Sequence, residues 1–155
     1  MNPIAKTALA TLMICTAAGV LAGEIAGTTV NVVGVENLTN STYNFAWQDI
    51  GVATGTGRIL NSTINAQGAR NHAASRVGYS VQYIGVATGG RMENVQVSAQ
   101  RVFNQSTASN ASAQQSIGTV SGNATMRNVT IFADGATNRA TQDNSDAKQR
   151  LGVAE

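Results

Sequence analysis

The chain has 155 residues and a formal net charge of +2, with only 12% charged and 5% aromatic side chains. Ten basic residues against eight acidic ones leave no electrostatic footprint for nucleic acid. A single cysteine, Cys15, excludes a disulfide framework, and a single histidine, His72, excludes an HExxH zinc motif.

Residues 1–22 differ in character from the rest. Lys6 supplies a positive start, "ALATLMICTAAGVL" an apolar stretch, and Val20-Leu21-Ala22 a small-residue cleavage pattern. The apolar run is shorter than the roughly 20 residues needed to span a bilayer. The segment is therefore expected to be a signal peptide cut after Ala22, leaving an exported chain with no membrane span and no thiol. Residues 23–155 are expected to form one repeat domain.

That domain is written in copies. "AWQDIGVATG" begins at 46, "SVQYIGVATG" at 80, "AQQSIGTVSG" at 113 and "AKQRLGVAE" at 147. Gln48, Gln82, Gln115 and Gln149 fall in phase, and each precedes by two residues Ile50, Ile84, Ile117 or Leu151. Glycine follows at once, as Gly51, Gly85, Gly118 and Gly152. A second block keeps the same beat: "NSTINA" at 61, "NVQVSA" at 94 and "NVTIFA" at 128, with a weaker forerunner "GTTVNV" at 27. Asn37, Asn71, Asn104 and Asn138 mark a third position. The Gln steps of 34, 33 and 34 residues are those of a stacked repeat architecture.

Both blocks alternate with the period of a strand that buries one face. In the second block Asn61, Asn94 and Asn128 open runs whose buried face is Ile64, Val97 and Ile131 with their neighbours Val95, Val129 and Ala99. In the first block the variable positions, Trp47 and Asp49 against Val81 and Tyr83, face outward. Ala46, Gln48, Ile50 and Val52, like Ser80, Gln82, Ile84 and Val86, then face inward. A buried glutamine needs partners, and stacked copies supply them: each amide donates to one neighbour and accepts from the other. The two asparagine series are expected to form ladders or turn caps in the same way. "QGARN" and "DGATN" read as turns. The expected fold is all-β, a β-solenoid or stacked β-arcade of about four imperfect 33–34-residue repeats. Its layers run roughly over 27–60, 61–93, 94–127 and 128–155.

Catalytic chemistry is missing. His72 is a lone loop residue, Asp143 and Asp146 sit in a polar turn, and no nucleophile with a base partner or phosphate loop occurs. No enzyme activity, cofactor or metal site is expected. The Asn-x-Ser/Thr triplets at Asn61 and Asn128 coincide in phase with Asn94, which favours a structural role over glycosylation. The outward positions are too irregular for the flat threonine array of an ice-binding surface.

The repeat begins near the proposed mature start with a second-block strand and closes with a first-block strand. Each end is therefore expected to hold about half a layer, so that residues 27–32 of one molecule complete the layer begun by 147–154 of another. An in-phase Gln, Gly and Asn pattern behind a signal peptide resembles the secreted functional amyloids of bacteria, the curlins and Fap-type fibre subunits. "IGVATGTGRILNSTINA" and "IGVATGGRMENVQVSA" are similar in layout to the Fap repeat, and the Gln positions follow the curlin Gln-x-x-Gly pattern loosely. The Fap-type C-terminal Cys pair and long linkers are absent. The resemblance implies passage through an outer-membrane secretion pore, partnership with related fibre subunits, and self-assembly outside the cell into adhesive, biofilm or anchoring fibres. Arg58, Arg70, Arg76, Arg91 and Arg101 would then slow polymerisation as gatekeepers. The alternative is a monomeric β-solenoid adhesin or binding module that uses outward residues such as Trp47 and Tyr83.

Overall fold

The computed structural model describes residues 23–39, 43–74, 77–107, 110–142 and 144–155. The proposed signal segment 1–22, with Lys6 and Cys15, lies outside them, as do Arg76 and Asp143.

The described chain winds as an all-β solenoid through strands that pair in parallel with the equivalent strands of the turns before and after. Its first turn contains β1 (Glu24–Ala26), β2 (Thr29–Val33), β3 (Glu36–Thr39) and β4 (Tyr43–Ala53). The second turn repeats these as β5 (Arg58–Leu60), β6 (Thr63–Gln67), β7 (Arg70–Ala74) and β8 (Val77–Thr88). In the third, β9 (Arg91–Gln100) spans both positions of the first face, followed by β10 (Phe103–Thr107) and β11 (Ser112–Ser121). The fourth has β12 (Thr125–Asp134), β13 (Thr137–Thr141) and β14 (Asp146–Leu151). The cross-section is three-sided. The first face joins β1, β2, β5, β6, β9 and β12, the second stacks β3, β7, β10 and β13, and the third stacks β4, β8, β11 and β14.

The second face is an addition to the two-strand layout expected from the blocks. Its strands are short, and the turn signals in "QGARN" and "DGATN" mark the corner before it. Gly34, Gly68 and Gly135 sit at that corner with φ of 63°, 63° and 64°, after which the chain extends again as β3, β7 or β13. The single short step also has a definite place: Gly89-Gly90 stands before β9 where Gly55-Thr56-Gly57 stands before β5.

The core is divided lengthwise. Between the first and third faces it is apolar, with Ile59, Ile64, Ile84, Met92, Val95, Val97 and Ile117 fully buried. Between the second and third faces it is narrow and polar, filled by Asn71, Ser80, Gln82, Asn104, Ser106 and Gln115 among alanines. The glycine after each core isoleucine shapes this division. Gly51, Gly85 and Gly118 have φ of 62°, 62° and 60°, and a β-carbon there would lie 2.8 Å from Ile64 Cδ1, 2.8 Å from Val97 Cγ2 and 2.5 Å from Ile131 Cγ1. Only glycine lets the third face bend this closely over the first. The left-handed residue also breaks the alternation, so the core residue beyond the bend is Ala53, Ala87 or Val120. That corrects the expected inward phase of Val52, which is half-covered, while Val86 is buried but lies outside this core cluster: the strict period of two does not survive a left-handed residue.

Candidate functional site

Two amide ladders run the length of the polar channel, in opposite directions. In the first, Nε2 of Gln82 donates to Oε1 of Gln48 at 2.6 Å, Gln115 to Gln82 at 2.7 Å, and Gln149 to Gln115. Each glutamine thus donates toward the N-terminal end. The second N–H of each amide reaches a backbone carbonyl at the corner before the second face, that of Arg70, Ala69, Thr137 or Ala136.

In the second ladder, Nδ2 of Asn37 donates to Oδ1 of Asn71 at 2.8 Å, Asn71 to Asn104 at 3.0 Å and Asn104 to Asn138 at 2.8 Å. These amides donate toward the C-terminal end. Each also binds a carbonyl ten residues on, those of Trp47, Val81, Gln114 and Lys148, at 2.8–2.9 Å. The fixed distance between the Asn and Gln positions follows from this bond, which staples the second face to the third. With both N–H groups and the oxygen occupied, the buried amides avoid the roughly 1–3 kcal/mol cost of an unpartnered polar group.

Asn61, Asn94 and Asn128 lie elsewhere, on the outside of the first face, where they combine two roles. All three are left-handed, with φ of 49°, 52° and 50°, a conformation that asparagine tolerates better than most residues. Asn94 donates to Asn61 at 2.9 Å and Asn128 to Asn94 at 3.0 Å. The corresponding residue of the first turn is Gly27, so this ladder starts one turn late. Of the apolar positions, Ile50, Ile64, Ile84, Val97 and Ile117 are buried, Ile131 is partly covered, and Leu151 on the last strand is 45% exposed.

The two ends of the solenoid are therefore chemically unfinished among the described residues. At the N-terminal end Ile25, Val30 and Val32 are only partly covered, and Asn37 Oδ1 and the outer side of Gln48 face outward along the axis. At the C-terminal end Met126, Val129, Ile131, Ala136 and Leu151 play the same part, beside Gln149 Oε1, while Asn138 Nδ2 is held by the Ala113 and Lys148 carbonyls. The expected half-layers are not there. Each face holds four rungs, and the first and last turns begin and end at the same corner, so both ends present a whole cross-section.

The outer surface carries one concentration of aromatic side chains. Phe45, Trp47 and Tyr79 are exposed on the first two rungs of the third face. Phe45 stacks on Trp47 at 5.7 Å and on Tyr79 at 5.9 Å, and Trp47 meets Tyr83 edge-on at 5.5 Å. The Trp47 indole N–H donates to Asp49 Oδ1. Partial burial pushes the Asp49 carboxyl above the ordinary aspartate value, an effect this bond partly offsets. Sequence reasoning picked out Trp47 and Tyr83 but missed Phe45 and Tyr79, whose grouping requires knowing that adjacent turns stack in register. His72 is on β7, its ring 3.2 Å from Thr107 Oγ1. Among the described residues no cluster of three or more His, Cys, Asp or Glu could hold a metal ion.

No protein-family model, curated protein or solved structure matches this chain.

Proposed function

We propose that this protein is a self-assembling structural subunit, exported through removal of residues 1–22 and stacked end to end outside the cell into cross-β fibres or a surface anchor. The observation that carries this reading is the state of the two ends. Among the described residues both display an open cross-section of apolar core, with Asn37 Oδ1 and one Gln48 N–H at one end and Gln149 Oε1 at the other left for a second copy to bind. A row of free backbone N–H and C=O groups at such an edge is a template for strand addition. A repeating, non-closing contact of this kind builds a fibre.

Support also comes from composition. With no disulfide and a thin core, each added turn stabilises its neighbour, and stacking further copies extends that gain. In the cell the chain would meet an outer-membrane pore and related fibre subunits as partners. The test is to dilute the chain from denaturant and follow thioflavin fluorescence and fibre diffraction. Seeded growth with a reflection near the ~4.7 Å strand spacing is expected.

The second reading, a monomeric adhesin module, draws on the exposed Phe45, Trp47 and Tyr79 and the half-buried Tyr83 beside them, since contiguous exposed aromatic patches mark interaction sites. A single soluble species that is unchanged with concentration and with added seeds would favour it.

A further inference from the structure

The charges of the first turn are one-sided. Between Gly23 and Ala53 the chain carries Glu24, Glu36 and Asp49 and no lysine or arginine. Inside the molecule the second turn answers two of these acids in the same columns. Glu24 lies in register with Arg58, which it binds at 3.3 Å, and Glu36 lies in register with Arg70. The last turn carries Arg127, Arg139, Lys148 and Arg150, all exposed. These bases point outward at the far end, where the acids of another copy would arrive.

We propose that two copies join in the one register that continues all three faces, with Glu24, Glu36 and Asp49 of the incoming turn set against Arg127, Arg139 and Arg150 of the receiving turn. This rests on the fibre reading and gives its joint a register and a polarity. The columns fix the partners. Glu24, Arg58, Arg91 and Thr125 align, so an incoming Glu24 stacks on Thr125, two residues from Arg127 on the same outward face. Glu36, Arg70, Phe103 and Thr137 align, which sets an incoming Glu36 two residues from Arg139. Asp49, Tyr83, Ser116 and Arg150 align, so an incoming Asp49 lies directly against Arg150. Arg150 binds Glu155 through Nε at 3.2 Å, and its two terminal nitrogens remain for the incoming carboxylate.

The same register continues everything else. Trp47 meets Lys148, a cation against an aromatic face. Val30 lands on Ile131, Ile25 on Met126 and Ile50 on Leu151. Asn138 donates to the incoming Asn37, and the incoming Gln48 donates to Gln149. Asp134 and Asp146 of the receiving turn meet Val33 and Phe45, so no acid opposes an acid. Two N-terminal ends brought together would instead set acids against acids and Asn37 oxygens against each other.

The experiment is seeded elongation of the exported chain, residues 23–155, at low ionic strength, where exposed charges are least screened. Asp49→Arg and Arg150→Asp are each expected to slow elongation about fivefold or more, a scale set by exposed ion pairs. The double variant should recover the wild-type rate. So should an equimolar mixture of the two single variants, because alternating copies restore an opposite-charge pair at every joint. Because Cys15 leaves with residues 1–22, the exported chain has no thiol of its own, and Asp49→Cys mixed with Arg150→Cys should form an intermolecular disulfide, since aligned rungs bring the Cα atoms to about 4.8 Å. Phe45→Cys with Arg150→Cys, a four-residue slip, should not. Wild-type rates for both single variants in growing fibres, or slowing without rescue, would overturn the register and leave the fibre reading standing. A wild-type chain that never elongates from seeds would overturn both.

Discussion

An amide that is buried in a stack has two hydrogens and one oxygen to satisfy, and the polar channel gives each of these a separate partner. Gln82 is the most demanding case. It is fully buried, donates to Gln48 and accepts from Gln115. Gln82→Leu preserves volume but leaves one neighbour's oxygen and the other's N–H unpaired, so a loss of about 2–4 kcal/mol is expected in urea unfolding. Gln149→Leu removes two bonds, to Gln115 and to the Ala136 carbonyl, but at an exposed edge where water replaces them, and should cost the isolated molecule less than about 1 kcal/mol. Equal losses would mean that the ladder is not what holds these residues. Asp49 makes a separate prediction, readable in pH. Its carboxyl is held above the ordinary aspartate value in the folded chain because burial disfavours its charge. Across the window between the unfolded and folded pKa values, the folded chain holds a proton that the unfolded chain has released. Stability from this residue therefore falls as pH rises through that window. Asp49→Asn keeps an oxygen for the Trp47 indole and removes the charge. It should unfold at higher urea than wild type at pH 7 and at the same urea near pH 3, and the opposite order would refute the desolvation account.

The elements of this fold are straight segments joined at left-handed residues, and much of that was readable. The Gln, Asn and Ile positions recur in phase, and the buried faces at Ile64, Val97 and Ile131 follow from alternation alone. Two things were not legible, both for physical reasons. The second face consists of strands of four or five residues, too short to show a period, so β3, β7, β10 and β13 were hidden behind the turn signals that precede them. The bend at Gly51 and its equivalents shifts the inward phase by one residue, which a pattern read as continuous alternation assigns to Val52 instead of Ala53. The corner series Gly34, Gly68, Arg101 and Gly135 offers a test at this scale. Arg101 adopts φ of 51° where the other three turns have glycine. A left-handed arginine costs about 1–2 kcal/mol, partly offset by the extra freedom that glycine gives the unfolded chain. Arg101→Gly should therefore stabilise the molecule by about 0.5–1 kcal/mol in urea. A lower midpoint would show that the arginine side chain contributes more than its backbone costs.

At the scale of the whole molecule the solenoid is one-dimensional: each turn touches only the turns before and after, so its stability is a sum of turns and interfaces, and its ends are always its weakest layers. The third face of the last turn concentrates what the end offers a second copy, namely the Gln149 oxygen, the Leu151 side chain, and the Lys148 and Arg150 charges. β11 is fully buried at Gln115 and Ile117 only because β14 covers it. Deleting residues 147–155 therefore moves the end of the third face back by one rung while the other two faces keep their fourth. The resulting step cannot be matched on all three faces by the flat N-terminal end of an incoming copy. Seeded elongation is expected to slow at least about tenfold, equivalent to roughly 1.4 kcal/mol of lost joint stability. The deletion also exposes Gln115 and Ile117, so the isolated molecule should unfold at lower urea, which separates a damaged joint from a chain that no longer folds. A truncated chain that remains folded and extends wild-type seeds at the wild-type rate would show that the third face of the last turn is no part of the growing end.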